Sequence, residues 1–184
     1  MTPTKYKTLH LGHTSDWYRK ELKKKSVFVS IYADGMLEKV ENTKESIDIV
    51  VMSLRGMGFT KARTPWRDII ARVKEFGDFC PAEVGPALAL DGIEPGLVYL
   101  AMEPIPDRGG RPSVFYVARD GGGSLDLGSG WAGPGRDWSL VDRLVFSLRK
   151  RSEPSTSALP SETQPLEARV AKLEAVIKHH NLGI

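Results

Sequence analysis

The stretch from Arg151 to Pro165 constrains the architecture most, because it divides the chain into two unequal parts. It contains Pro154, Pro160 and further Ser, Thr and acidic residues, and Ala158-Leu159 is its one apolar pair. Such a composition buries too little apolar surface to offset the entropy lost when a chain is ordered. We therefore predict a flexible linker over residues 151–165, with a globular domain before it and a separate segment after it.

The segment after the linker, residues 166–182, carries a heptad pattern. β-Branched residues at its a positions and leucine at its d positions favour a parallel dimer, with a trimer as the next preference. A helix of about two heptads is marginal alone in water, so it needs a partner. Docking onto its own domain or onto another protein is the alternative to self-association. The predicted oligomerisation residues are the apolar seam Leu166, Val170, Leu173 and Ile177 with the flanking g and e pair Arg169 and Glu174.

Residues 26–150 predict one globular α+β domain, with an N-terminal strand or hairpin and two amphipathic helices followed by an antiparallel β-meander. Ser26 to Ala33 is rich in β-branched and aromatic residues and runs into Asp34-Gly35, which predicts a strand and a hairpin into Met36 to Val40. Asn42 precedes Glu45 at the spacing of a capping box. Apolar residues then recur at helical spacing, which predicts an amphipathic helix over Ile47 to Leu54.

A second amphipathic helix is predicted after Thr64-Pro65, a capping hydroxyl followed by a residue suited to the first helical turn. Its apolar stripe begins at Trp66 and ends before Gly77. From residue 78, frequent Gly and Pro residues and short apolar runs predict strands alone, as an antiparallel β-meander that includes Leu97 to Met102 and Ser113 to Arg119. Residues 139–150 fit a helix or a strand, and Phe146 favours the strand.

Residues 1–25 predict a basic arm or a short helix, because they hold seven Lys or Arg residues and two acidic ones. Further cations lie around the second predicted helix. Arg63, Arg67 and Lys74 share one face of it, where surface cations are common but where phosphates can also bind. The candidate nucleic-acid contacts are therefore Lys23, Lys24, Lys25, Arg63, Arg67 and Lys74.

The Gly-rich loop between residues 128 and 138 is a candidate binding loop. It presents Trp131, Arg136 and Trp138, and tryptophan and arginine are the residue types that most often dominate binding surfaces. The alternative is that both rings cover the core of the sheet.

The tetrapeptide His10-Leu11-Gly12-His13 resembles the His-x-Gly-His element of the nucleotidylyltransferase and class I synthetase superfamily. In that superfamily the histidines stabilise charge on a transferring nucleotide phosphate, and the element follows a first buried strand. Here Thr2 to Leu9 predict no apolar strand, and no Lys-Met-Ser-Lys-Ser-like loop follows. We interpret the tetrapeptide as part of the arm and do not carry the family's activity over.

Composition narrows the class of protein. The single cysteine, Cys80, excludes an intramolecular disulfide and predicts a buried thiol in a cytoplasmic or virion-associated protein. The apolar runs are shorter than the ~20 residues of a membrane span, and no motif indicates a metal or other cofactor. Three hypotheses follow: a non-catalytic interaction or assembly protein, for example a phage or prophage component that binds an unidentified protein; a nucleic-acid-binding accessory protein; and an enzyme without a legible motif.

Overall fold

The computed structural model describes residues 3–61 and 63–149, and within these ranges nine strands in one sheet pack with four helices. The predicted α+β class is confirmed. The predicted linker and coiled coil lie outside the described residues. The strands are β1 (Lys7–His10), β2 (Phe28–Val29), β3 (Ser46–Ser53), β4 (Gly77–Asp78), β5 (Gly96–Leu100), β6 (Ile105–Pro106), β7 (Pro112–Arg119), β8 (Leu125–Trp131) and β9 (Arg143–Leu148). The helices are α1 (Ser15–Lys24), α2 (Ile31–Leu37), α3 (Trp66–Phe76) and α4 (Val84–Asp91).

The sheet has the order β1-β3-β9-β5-β7-β8-β2, with β4 beside β9 and β6 beside β7. Strands β5, β7 and β8 form an antiparallel meander in the region where strands were predicted. Strand β9 is inserted between β3 and β5, antiparallel to the first and parallel to the second. The strand prediction for residues 139–150 is therefore confirmed over β9, whose Phe146 is fully buried.

Helix α4 is central to the core and was absent from the predictions, which placed only strands after residue 78. It contacts α1, β1, β7 and β8, and its residues from Val84 to Ala89 are all buried. A helix that is apolar on every side has no amphipathic period, so the sequence pattern does not reveal it. The helix approaches the sheet closely at Gly85, where an added Cβ would lie 2.8 Å from the ring of Phe115.

The predicted helix over Ile47 to Leu54 is wrong, because most of this segment is strand β3. The strand pairs on both sides, with β1 and with β9, and its Ile47 and Ile49 are buried on alternate positions. Val50 is buried as well, so the apolar residues fit a helical and a strand period equally. Hydrogen bonding to two neighbouring strands decides between the two.

The predicted strand and hairpin over residues 26–40 are largely wrong. The strand is limited to the two residues of β2, and Asp34 and Gly35 lie inside α2. The Ser30 side chain accepts a hydrogen bond of 3.1 Å from the backbone N–H of Ala33 and so caps the helix. Residues Ala33, Met36 and Leu37 recur at helical spacing and are all fully buried.

The second predicted helix is confirmed as α3, which ends before Gly77. Its start differs in detail, since Pro65 occupies the N-cap position and the Thr64 hydroxyl makes no capping hydrogen bond. The first 25 residues contribute β1 and α1 to the fold. Strand β1 pairs with β3, and Leu9 lies opposite Ile47 in this pairing. The absence of a strand over Thr2 to Leu9, predicted from their composition, is therefore wrong.

Candidate functional site

The candidate binding loop is attached to the start of α3 by backbone hydrogen bonds. The N–H of Thr64 donates to the carbonyl of Trp138 at 3.2 Å, and the N–H of Trp138 donates back to the Thr64 carbonyl at 3.3 Å. This bridge joins positions far apart in the sequence. It brings the predicted loop and the predicted cations Arg63 and Arg67 to the same side of the domain.

Trp138 belongs to the hydrophobic core. Its ring is fully buried, is stacked on Trp66 with 4.9 Å between ring centroids, and meets the edge of Tyr99 at 4.8 Å. Stacked and edge-on arrangements are the favourable geometries for aromatic pairs. Trp138 therefore belongs to the core, as the alternative interpretation predicted for both rings, whereas Trp131 is 40% exposed. The predicted loop begins later than expected, because residues 128–131 are part of β8 and Trp131 is its last residue.

Arg136 is held between the core and the exposed tryptophan. Its guanidinium carbon lies 3.9 Å from the ring centroid of Trp138 and 4.8 Å from that of Tyr99, close enough for cation–π attraction to both. Its Nη1 donates a hydrogen bond of 2.8 Å to the carbonyl of Trp131. The side chain of Arg136 thus connects the carbonyl of Trp131 to the aromatic rings of the core.

A pocket of about 370 Å³ lies between the loop and α3, and we call it the tryptophan cleft. Its walls are mostly apolar, and two guanidinium groups complete them. The lining residues are Pro65, Trp66, Arg67, Ile70 and Ala132 to Arg136. Trp131 stands beside it, with its indole nitrogen so close to Gly133 that an added Cβ there would lie 2.3 Å away.

The rim of the cleft carries both signs of charge. Arg63 forms an ion pair with Asp137 at 3.3 Å, and Arg67 forms one with its neighbour Asp68 at 3.2 Å. The side chains of Arg63 and Arg67 are 81% and 86% exposed. Ion pairs this exposed contribute little to stability, so both arginines are available to a ligand.

Three buried polar atoms make no hydrogen bond within the described part of the chain: Thr64 Oγ1, Trp66 Nε1 and Trp138 Nε1. Thr64 and Trp138 form the backbone bridge, and Trp66 lines the cleft.

The other predicted nucleic-acid contacts do not join Arg63 and Arg67. Lys23, Lys24 and Lys25 lie at the end of α1, where Lys24 pairs with Glu21 and Lys25 donates to the Leu90 carbonyl. Lys74 lies over the ring of Phe79, with 5.3 Å between its Nζ and the ring centroid. The predicted oligomerisation residues Leu166, Arg169, Val170, Leu173, Glu174 and Ile177 lie outside the described residues.

A second pocket, of about 230 Å³, is lined by both histidines of the His10–His13 tetrapeptide together with Trp17, Lys25 and Asp91. Its loop is held by a residue that the sequence analysis missed, the fully buried Glu83 of the turn before α4. One carboxylate oxygen of Glu83 accepts hydrogen bonds from the backbone N–H groups of Gly12 and His13 and from the Tyr18 hydroxyl, and the other accepts from the N–H of Thr43.

These hydrogen bonds set the protonation of the Glu83 pair. Burial alone would raise the pKa of Glu83, but the three backbone donors and Tyr18 outweigh it and hold the pKa below its usual value of 4.5. Burial, together with the adjacent carboxylate, raises the pKa of the Tyr18 hydroxyl strongly. Glu83 is thus a charged structural anchor. Its sequence signal is that it is the one charged residue between Cys80 and Leu90.

Cys80 is buried, as predicted, and burial raises the pKa of its thiol. Over residues 3–61 and 63–149, no group of three or more His, Cys, Asp or Glu side chains is arranged to hold a metal ion. Among the helices of that same part of the chain, none is long and apolar enough to cross a membrane. Comparisons with known protein families, with curated proteins and with solved structures give no match.

Proposed function

We propose that this chain is an interaction or assembly protein that binds a partner protein through the tryptophan cleft and is multimerised by its C-terminal heptad segment. The observation that carries the proposal is the cleft itself. An exposed Trp131 stands beside an apolar pocket, and Arg136 fixes the loop from below. Tryptophan and arginine on a fixed backbone are the side chains that most often supply the energy of a protein interface.

Multimerisation would strengthen binding through such a cleft. A single pocket of this size binds one or two side chains of a partner, which supports only weak binding. Copies joined by the predicted coiled coil would engage a repeated target together, and linkage raises the effective concentration of each further contact. The predicted linker over residues 151–165 would provide the reach between the copies.

Replacing Val170 by glutamate in the full chain is expected to abolish self-association, because it places a charge at an a position of the seam. Sedimentation equilibrium should give twice the mass of one chain for the natural sequence and a single chain for V170E. The matched control is Ala171→Glu, which adds the same charge at a b position outside the seam and should leave the dimer intact. A monomeric natural chain, or a dimer that survives V170E, would refute the assembly role of the tail.

Binding of single-stranded nucleic acid is the second candidate function. It is favoured by one observation: the exposed Arg63 and Arg67 and the exposed Trp131 lie in or next to the two segments that line the cleft, and such proteins combine cations with aromatic faces on which bases stack. It predicts affinity that falls steeply with added salt. The dispersal of the predicted lysines away from these two arginines weakens it.

A further inference from the structure

We infer that the tryptophan cleft receives an apolar side chain, preferably aromatic, from an extended protein segment, with an adjacent carboxylate of that segment on the arginine rim. The inference rests on the proposed function and specifies its ligand. Three features of the cleft support it: the walls, the accessible ring faces and the balance of charge.

The walls favour an apolar side chain. Pro65, Ile70, Ala132 and Pro134 offer no side-chain hydrogen bond, so only dispersion and the release of water favour an occupant against them. The volume of about 370 Å³ exceeds that of one aromatic ring. Trp131 adjoins the cleft, because its indole lies against the lining residue Gly133, and the residue is 40% exposed.

The accessible ring faces are too few for a strand of nucleic acid. A single-stranded nucleic acid is held by successive bases stacking on successive exposed aromatic rings. Here Trp66 is only 8% exposed, Trp138 is fully buried, and Arg136 already lies over the Trp138 ring. Trp131, which adjoins the cleft and is 40% exposed, then offers one aromatic surface beside it, which suits one ring of a ligand.

The net charge of the rim also favours a protein segment over a strand of nucleic acid. The cleft and its rim carry three guanidinium groups, those of Arg63, Arg67 and Arg136. Two carboxylates, Asp137 and Asp68, pair with the first two of them. One positive charge is left over. It matches a single carboxylate beside the anchor side chain, whereas a run of phosphates needs several unpaired cations along its path.

The form of the cleft suits an extended segment of protein. Recognition of such segments combines backbone hydrogen bonds with pockets for side chains. The cleft between the start of α3 and residues 132–136 supplies one such pocket.

The test uses the full chain labelled with ¹⁵N at its four tryptophan indoles and follows the N–H signals during titration with short capped peptides. The probes are Gly-Phe-Glu-Gly, its neutral counterpart Gly-Phe-Gln-Gly, Gly-Ala-Glu-Gly, and an oligomer of five deoxythymidylates. We expect the Phe-Glu peptide to shift the signals of Trp131 and Trp66 and to leave Trp17 unmoved. The Phe-Gln peptide should bind about three- to five-fold more weakly, since the rim is exposed, and the Ala-Glu peptide should not bind detectably.

Two variants assign the effect to the cleft. Arg67→Gln should remove the preference for Phe-Glu over Phe-Gln, whereas Lys20→Gln, at an exposed cation of α1, should preserve it. Equal binding of the Phe-Glu and Phe-Gln peptides would refute the inferred contact between a carboxylate and the arginine rim, but it would leave the proposed binding of a protein segment intact. Tighter binding of the oligonucleotide than of any peptide would overturn the ligand class. Shifts of Trp17 in place of Trp131 would show that the cleft is not the site.

Discussion

Replacing Glu83 by alanine is expected to lower the free energy of unfolding by about 4 kcal/mol, because it leaves a set of buried donors without an acceptor. The carboxylate accepts hydrogen bonds from Gly12 and His13 at 2.7 and 2.8 Å and from the Tyr18 hydroxyl at 2.9 Å, and it also accepts from Thr43. Urea unfolding at neutral pH, followed by circular dichroism, measures the change. A cost below about 1 kcal/mol would mean that water replaces the carboxylate without penalty.

Two further variants separate the charge from the shape. Glu83→Gln keeps the volume but turns one acceptor oxygen into a donor, so it should cost about half as much as the alanine variant. Glu41→Ala, at an exposed glutamate, should change stability by less than about 0.5 kcal/mol. If the glutamine and alanine variants are equally unstable, the negative charge matters more than the filled volume.

The same carboxylate gives stability a dependence on pH of defined sign. The pKa of Glu83 is lowered in the folded protein, so its contribution is present above the usual pKa of 4.5 and is lost as pH falls through the lower folded value. The difference in stability between the natural chain and Glu83→Gln should therefore be constant near neutral pH and shrink below about pH 4. A difference that grows on acidification would contradict this assignment.

Replacing Trp138 by alanine is expected to cost about 4 kcal/mol, since it empties the centre of an aromatic cluster. The ring is fully buried, stacks on Trp66 at 4.9 Å and supports the guanidinium of Arg136 at 3.9 Å. Trp131→Ala is the matched control: it removes the same kind of side chain from the end of β8, and it should cost less than about 1 kcal/mol because the residue is partly exposed. Urea unfolding measures both changes.

A third variant tests the unpaired indole. Trp138→Phe keeps a ring in the cluster and removes Nε1, which has no partner in the described ranges. We expect a cost of about 1–2 kcal/mol, because no hydrogen bond is lost with the smaller ring. If Trp131→Ala proved as destabilising as Trp138→Ala, the exposed tryptophan would be a structural residue and the cleft would lose its principal contact.

Local periodicity predicted the elements that are amphipathic or that end at a marked residue. Helix α3 was predicted because a stripe beginning at Trp66 is followed by Gly77, and β9 because Phe146 suits a strand better than a helix face. Helix α4 has the opposite character, since burial on all sides removes its period. In β3 the residues fit both periods, and only pairing with distant strands selects one.

The residue types of the candidate site could be predicted from the sequence, whereas their arrangement in space could not. Trp131, Arg136 and Trp138 were singled out because such residues dominate binding surfaces, and Arg63 and Arg67 because of their charge. Their meeting depends on the hydrogen-bonded bridge between Thr64 and Trp138, which no local pattern encodes. Glu83 was missed for a similar reason, because its donors come from two distant loops and α1.

Selection of linear peptides from a random library on the immobilised full chain measures whether the cleft binds protein segments. Enriched peptides should share an apolar or aromatic residue next to Asp or Glu, and they should lose at least about tenfold in affinity for Trp131→Ala. They should bind Trp17→Ala, which lacks a tryptophan of similar exposure on α1, as tightly as the natural chain. Peptides that bind Trp131→Ala as tightly as the natural chain, or a selection that enriches no shared sequence, would show that the cleft is not a binding site for protein segments.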